Sequence, residues 1–253
     1  VWYEATAICP EGRANPHQSW LTEKNMGEFG RMVSRIKETC LRENGFIPMV
    51  ICQLTHSGRY SKPQGDPAPL IAYNNPVFEG EHPLPKTCIL SDDYLAALPE
   101  QFAHSASLAL MAGFDGVDVK CCHRYLLCEL LSAYTREGRY GGDFENRTRL
   151  LREAVEAVQA RVGGFMLVTS RMNIYDGFPY PYGFGVQEGA GITPDYTEPV
   201  KLAKQLCGQG INLLDITMGN PYFNPHVNRP FAKGPYEPPE HPMAGVARML
   251  EGT

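Results

Sequence analysis

The sequence lacks several features, and each absence narrows what the chain can be. No apolar run approaches the roughly 20 residues that a membrane-spanning helix needs. Positive charge is not in excess: 23 Lys and Arg stand against 28 Asp and Glu, a net charge of −5. That removes the electrostatic case for nucleic acid or anionic membrane as partners. The eight cysteines (9, 40, 52, 88, 121, 122, 128 and 207) form no C-x-x-C pair. Several lie inside apolar stretches, which fits buried reduced thiols in a cytoplasmic protein better than a disulfide framework. Cys121, Cys122 and His123 adjoin, but neighbouring strand residues point to opposite faces, which is poor chelation geometry, so no metal site is expected. No G-x-G-x-x-G follows an apolar run, and there is no fixed-period repeat. The chain opens at Val1 without an initiating Met or a basic leader, and reads as an excerpt or processed piece of something longer.

What is present is ordinary globular composition, 253 residues with 43% hydrophobic and 20% charged side chains. Five strand-then-helix units follow one another. Strands are expected at Val1 to Ile8, Pro48 to Leu54, Gly116 to Lys120, Phe165 to Ser170 and Leu213 to Thr217. Helices are expected near Gly27 to Arg42, from an N-cap at Ser91 to Ala112 with a break at Pro99, at Asn146 to Val162, from Thr193 to Cys207, and from Pro242 to the cut at Thr253. Strand–helix alternation means a parallel sheet covered by helices. An open doubly wound sheet gathers its ligands at one switch point, whereas a (β/α)8 barrel carries chemistry at every strand's C-terminal end. Here polar side chains follow each strand: His56 and Arg59; Lys120, His123 and Tyr125; Arg171; His226 and Arg229. The expected fold class is therefore α/β, an incomplete (β/α)8 TIM barrel of about five units in one domain over 1–253, truncated at both ends. The Pro-, Gly- and Tyr-rich loops at 60–90 and 172–192 are long enough to be lids or binding loops.

Three segments carry a resemblance. Gln53-Leu54-Thr55-His56-Ser57-Gly58-Arg59 is similar to the Q-L-x-H-x-G-R of the flavin-dependent Old Yellow Enzyme family. Ala112 to Val119 followed by Tyr125-Leu126-Leu127 is similar to its A-G-F-D-G-V-E-I … G-Y-L, and Tyr140 to Arg147 to its Y-G-G-x-x-E-N-R. Glu4-Ala5 and Glu11-Gly12-Arg13 fit that family's second strand. Within the family the chain looks most like the branch of 2,4-dienoyl-CoA reductase and trimethylamine dehydrogenase. The resemblance implies a barrel holding FMN at its C-terminal mouth, reduced by NAD(P)H. This chain would supply strands two to six, with any iron–sulfur cluster in parts outside it.

The resemblance also assigns roles. Gln53 would meet the alternating N–H and C=O edge of the flavin, since a carboxamide offers a donor beside an acceptor. Ala5 would lie where the backbone approaches the ring. Arg171 would stabilise the anionic reduced ring; its plain alternative is an ion pair with Asp176. Tyr125 would donate the proton as hydride reaches an activated alkene, a phenol being protonated at neutral pH. His226, in a His-x-x-Arg context, would polarise a carbonyl or relay a proton. Lys120 and His123 stand where much of the family has a His pair binding the substrate oxygen, and Lys is the departure; its plain alternative is a pair with Asp118 or Glu129. Tyr140 to Arg147 reads as structural, with Asn146 or a neighbour capping a helix. The implied activity is reduction of the C=C bond of an α,β-unsaturated carbonyl or thioester. Its rivals are amine or ether dehydrogenation and a non-catalytic barrel piece. The partner is a small-molecule substrate, and a homo-oligomer is left open.

Overall fold

A computed structural model of the chain describes residues 1–231 and 239–252. Its strands are β1 (Trp2–Ala7), β2 (Ile51–Thr55), β3 (Gly116–Val119), β4 (Leu167–Tyr175) and β5 (Leu214–Met218). Its helices are α1 (Met26–Asn44), α2 (Pro76–Glu79), α3 (Asp92–Met111), α4 (Leu126–Leu131), α5 (Phe144–Arg147), α6 (Arg149–Val162), α7 (Thr197–Gly208) and α8 (Pro242–Glu251). All neighbouring strands pair in parallel, and their spatial order is their chain order. A doubly wound sheet reverses direction at its switch point; this one never does, and is an arc of five consecutive strands of a (β/α)8 barrel.

Alternation along each strand separates two environments. Cys52 and Leu54, Val117 and Val119, and Val168 and Met172 face the helices in one core with Phe102, Leu150, Val158 and Leu206. Gln53, Asp118, Lys120 and Arg171 have the opposite parity and face the inside of the arc. A helix can cover only the outer face, so inward polar side chains are left for each other and for a ligand.

Four expected boundaries differ in the structure. Pro99 does not break α3, which runs from its Ser91 cap straight through; one lost backbone bond is outweighed by burial of Leu95, Leu98 and Phe102. The expected helix at 146–162 divides, because Asp143 caps α5 and the chain re-enters helix after Thr148. The fourth strand extends past Ser170 to Tyr175, so Arg171 lies within it. Residues 167–169 pair with β3 while 170–175 pair with β5, the stagger that a barrel's shear imposes. The helix expected from Thr193 starts at Thr197, and the helix from Pro242 is α8, with Thr253 outside the described residues.

Candidate active site

The floor of the site is one row of register partners. Ala5 lies opposite Gln53, Gln53 opposite Asp118, and Asp118 opposite Thr169. A bulge makes this row possible: Trp2 pairs with Ile51 but Ala5 pairs with Gln53, three steps on β1 against two on β2. The extra residue turns Ala5 to the inner face beside Gln53. Gln53 is buried and donates from Nε2 to Asp118 Oδ2 at 2.8 Å. Trp2 Nε1 donates to the same oxygen at 3.0 Å, and the Arg171 backbone N–H donates to Oδ1 at 2.6 Å. Arg171 pairs through Nε with Asp215 Oδ2 at 3.2 Å, its register partner on β5. It does not pair with Asp176, which is held elsewhere.

The wall is the turn after β3. Lys120 Nζ sits 4.2 Å from the centroid of the Tyr125 ring. Neither Asp118 nor Glu129 takes Lys120 in a salt bridge: Asp118 is engaged as above, and Glu129 bonds Arg59 and the Ala72 N–H. Burial, and then the charge of Arg171, hold the Lys120 ammonium below its usual pKa, partly offset by Cys122 and Asp118. His123 is pushed down to about 3, by burial first and then by Lys120, Arg171 and Arg229. His123 is therefore a neutral imidazole at pH 7, in a mouth where Lys120 and two arginines act on it. Tyr125 is raised above the ordinary phenol range by burial and by Tyr222. It keeps its proton throughout the neutral range.

This turn is strained. His123 and Arg124 are consecutive non-glycine residues at φ +60° and +57°. Such conformations cost of order 1–3 kcal/mol each and persist only where surroundings over-determine them. Arg124 supplies that determination. Fully buried, it donates to Ser132 Oγ at 2.5 Å, Asp176 Oδ2 at 2.9 Å and Tyr73 Oη at 3.1 Å. Its guanidinium lies 4.7 Å from the Phe178 centroid. Tyr73 belongs to the loop at 60–90, and Asp176 and Phe178 to that at 172–192. Both loops expected as lids are thus pinned to the turn, with Tyr73 and Tyr182 stacked at 6.5 Å.

The β5 loop reaches the same rim by a different residue than expected. Tyr222 stacks on Tyr60 at 4.1 Å, and Tyr60 lies 5.9 Å from Tyr125. His226 is buried with Nδ1 unpartnered and packs against Gly245 of α8. Among the described residues it makes no hydrogen bond to Tyr125, Lys120 or Arg171. The structure brings together Ala5, Gln53, Arg171, Lys120, His123 and Tyr125, while His226 lies on the loop after β5, packed against α8. Arg124, Asp118, Tyr60 and Tyr222 went unassigned in the sequence reading. For Arg124 a signal existed: it occupies the Gly of the G-Y-L pattern, at a backbone angle that favours glycine.

The remaining motif residues are structural. Arg59 bridges Glu79 and Glu129 in burial and bonds the Tyr73 carbonyl. Gly58 has φ +58°, and a Cβ there would lie 2.9 Å from the Leu126 backbone nitrogen, so only glycine lets this strand end meet α4. Arg147 ties Gly142 and Leu131 carbonyls to Glu198 and stacks 3.6 Å from Tyr134. The cap is Asp143, which accepts from the Asn146 N–H at 2.8 Å; Asn146 is not the cap itself.

His56 is buried between Tyr94 Oη, 2.9 Å from Nε2, and the Gly58 N–H, which donates to Nδ1 at 3.1 Å. Burial lowers its pKa to about 4, against the pull of Glu11. The unfolded chain therefore binds a proton that the folded one refuses between pH 6.5 and 4, and stability falls as pH drops through that window. We expect a slope of up to about 1.4 kcal/mol per pH unit from this group, read by urea denaturation across pH 4 to 7, and a shallower slope in His56→Gln.

The donor set fits a flavin edge. The carboxamide Oε1 of Gln53 has no partner among the described residues, Arg171 Nε has no aligned hydrogen bond, and Ala5 is the register partner of Gln53. No group of three or more His, Cys, Asp or Glu side chains suited to a metal ion occurs among the described residues. No helix among them is long and apolar enough to cross a membrane.

The arc of strands is that of a partial (β/α)8 barrel, and comparison with known proteins places it in a family. Residues 1–185 match the model of the NADH:flavin oxidoreductase / NADH oxidase family, and the chain belongs to that family. It is 30% identical over 218 residues to an NADPH dehydrogenase of Halalkalibacterium halodurans, covering 85% of this chain and 57% of that protein. It is 30% identical over 219 residues to one of Geobacillus thermodenitrificans, with the same coverage of 85% and 57%. The chain thus spans somewhat over half the length of these relatives. Among solved structures it is similar to a 2-naphthoyl-CoA reductase complex, with TM-score 0.70, 20% identity, and coverage of 87% of this chain and 33% of that one. It is also similar to histamine dehydrogenase from Rhizobium sp. 4-9, with TM-score 0.65, 20% identity, and coverage of 86% and 30%. At that identity the likeness concerns the fold.

Proposed function

We propose that this chain forms the flavin-facing part of an FMN-dependent, NAD(P)H-driven oxidoreductase that reduces the C=C bond of an α,β-unsaturated carbonyl or thioester. One observation carries the reading: Lys120, in no carboxylate salt bridge among the described residues, stands over the Tyr125 ring in a mouth it shares with neutral His123, Arg171 and Arg229. That arrangement suits a substrate whose oxygen gains negative charge as the reaction proceeds. Gln53, Ala5 and Arg171 would hold FMN, which when bound supplies hydride chemistry. Lys120 and His123 orient the substrate oxygen and stabilise its developing charge. Tyr125 holds a proton at Oη for the neighbouring carbon. In this reading His226, on the same loop as Tyr222, polarises the substrate carbonyl or relays a proton to Tyr125.

The rival is amine dehydrogenation, which the names of some structural neighbours bring forward. The mouth argues against it. An aromatic face that would attract a substrate ammonium is already covered by the protein's own ammonium, and the surrounding cations repel another. Anaerobic mixing separates the two. NADH or NADPH should bleach the flavin, and an enone or 2-enoyl thioester should restore its colour. Bleaching by an amine without any nicotinamide would overturn the proposal. Lys120→Met is expected to slow reoxidation by the alkene by about a hundredfold, the order found when one oxyanion donor is removed. Stopped-flow absorbance of the flavin reads it directly.

A further inference from the structure

We propose that Asp118 is a positioning residue for flavin binding: its carboxylate fixes which end of the Gln53 carboxamide faces the cleft, and locks that amide to the backbone of Arg171. The inference rests on the flavin reading above and adds a residue to it. An ionised carboxylate only accepts hydrogen bonds. Three donors converge on this buried one: Gln53 Nε2 at 2.8 Å and Trp2 Nε1 at 3.0 Å on Oδ2, and the Arg171 N–H at 2.6 Å on Oδ1. Burial raises the pKa of Asp118, and Gln53, the Arg171 N–H and Trp2 oppose that rise. Turning the Gln53 amide over would set two acceptors against each other in a place closed to water. Its sense is therefore determined before any ligand arrives. Nε2 points to Asp118, and Oε1 is left as an unpartnered acceptor on the inner face. An acceptor fixed there selects a ring edge that presents an N–H, such as the imide N3–H of a flavin.

Asp118 also links two candidate flavin contacts that lie on different strands. The same carboxylate that orients Gln53 on β2 holds the Arg171 backbone on β4. A shift of one is transmitted to the other through two short bonds rather than through the sheet.

The test uses the intact protein and titrates the quenching of flavin fluorescence. FMN should bind about tenfold more tightly than N3-methyl-FMN, which lacks the N–H that Oε1 would accept. This comparison needs no variant. Asp118→Leu should weaken FMN about tenfold and bring the FMN to N3-methyl-FMN ratio near one. In a Gln53→Ala background, Asp118→Leu should leave the FMN to N3-methyl-FMN ratio unchanged, because the carboxylate sets that ratio through the Gln53 amide, and any further loss should fall equally on both flavins. If Asp118→Leu does not fold, Asp118→Asn takes its place: an amide there can donate as well as accept, so the sense of the Gln53 amide is no longer fixed and the FMN to N3-methyl-FMN ratio should fall toward one. Tight FMN binding without discrimination overturns the proposal and leaves the flavin reading intact. So does a loss from Asp118→Leu that leaves the ratio at the parent protein's value, which would make Asp118 a purely structural tie. Failure of the parent protein to bind either flavin overturns the flavin reading, and this inference falls with it.

Discussion

Tyr125→Phe is expected to slow alkene reduction by roughly 10²- to 10⁴-fold, the usual contribution of a positioned general acid. The substitution removes one hydroxyl and keeps the ring that Lys120 covers at 4.2 Å. The loss should appear chiefly when the alkene reoxidises the flavin, and much less when NAD(P)H reduces it. Burial and Tyr222 hold the phenol above its ordinary pKa. The parent enzyme should therefore show no alkaline loss from this group between pH 6 and 9, as a pH profile of the reoxidation rate would reveal. Equal reoxidation rates in parent and variant would remove the proton-donor role.

The second large effect is on stability. Arg124→Met should cost about 3–5 kcal/mol in urea denaturation, the range for breaking a buried pair by removing one partner. Asp176 would remain fully buried, without its cation, and bonded only to the Phe178 and Phe184 N–H groups through Oδ1. Adding Asp176→Asn should recover part of the loss, because the amide oxygen keeps those two bonds without a stranded charge. Arg124→Gly separates strain from anchoring. It relieves the left-handed φ of +57° yet releases Ser132, Asp176 and Tyr73 together. If Arg124→Gly proved as stable as the parent, the turn would owe nothing to the guanidinium.

Different parts of the molecule were legible to different degrees. Strand and helix order followed from hydrophobic period and caps, because those signals are local; Ser91 at the start of α3 is an example. The barrel sense followed from polar residues placed after each strand. The Tyr140 to Arg147 signature was correctly read as structural, and Arg147 now appears as a brace among the 142 loop, α4 and α7. Partners were less legible. Arg171 was weighed against Asp176, six residues from the strand's expected end, yet it meets Asp215 on the next strand. Lys120 was weighed against nearby carboxylates, yet both are engaged by groups far away in sequence. The β5 loop also brings Tyr222 to the rim, where it stacks on Tyr60, a contact that the His-x-x-Arg pattern around His226 does not signal.

By itself the sequence determined the order of the elements, the face each strand turns to its helices, and the residue types available at the rim. These depend on period-two and period-3.6 alternation and on the chemistry of single side chains. Tertiary structure alone decided which polar groups pair, because pairing depends on strand stagger, on the β1 bulge that turns Ala5 inward, and on the strained turn at His123 and Arg124. Those features arise chiefly from contacts between segments far apart in the sequence, such as β1 with β2 and Arg124 with Asp176, where no local pattern carries the information. Among the described residues Lys120 makes no carboxylate salt bridge for this reason: Asp118 is taken by Gln53, Trp2 and the Arg171 N–H, and Glu129 by Arg59 and the Ala72 N–H.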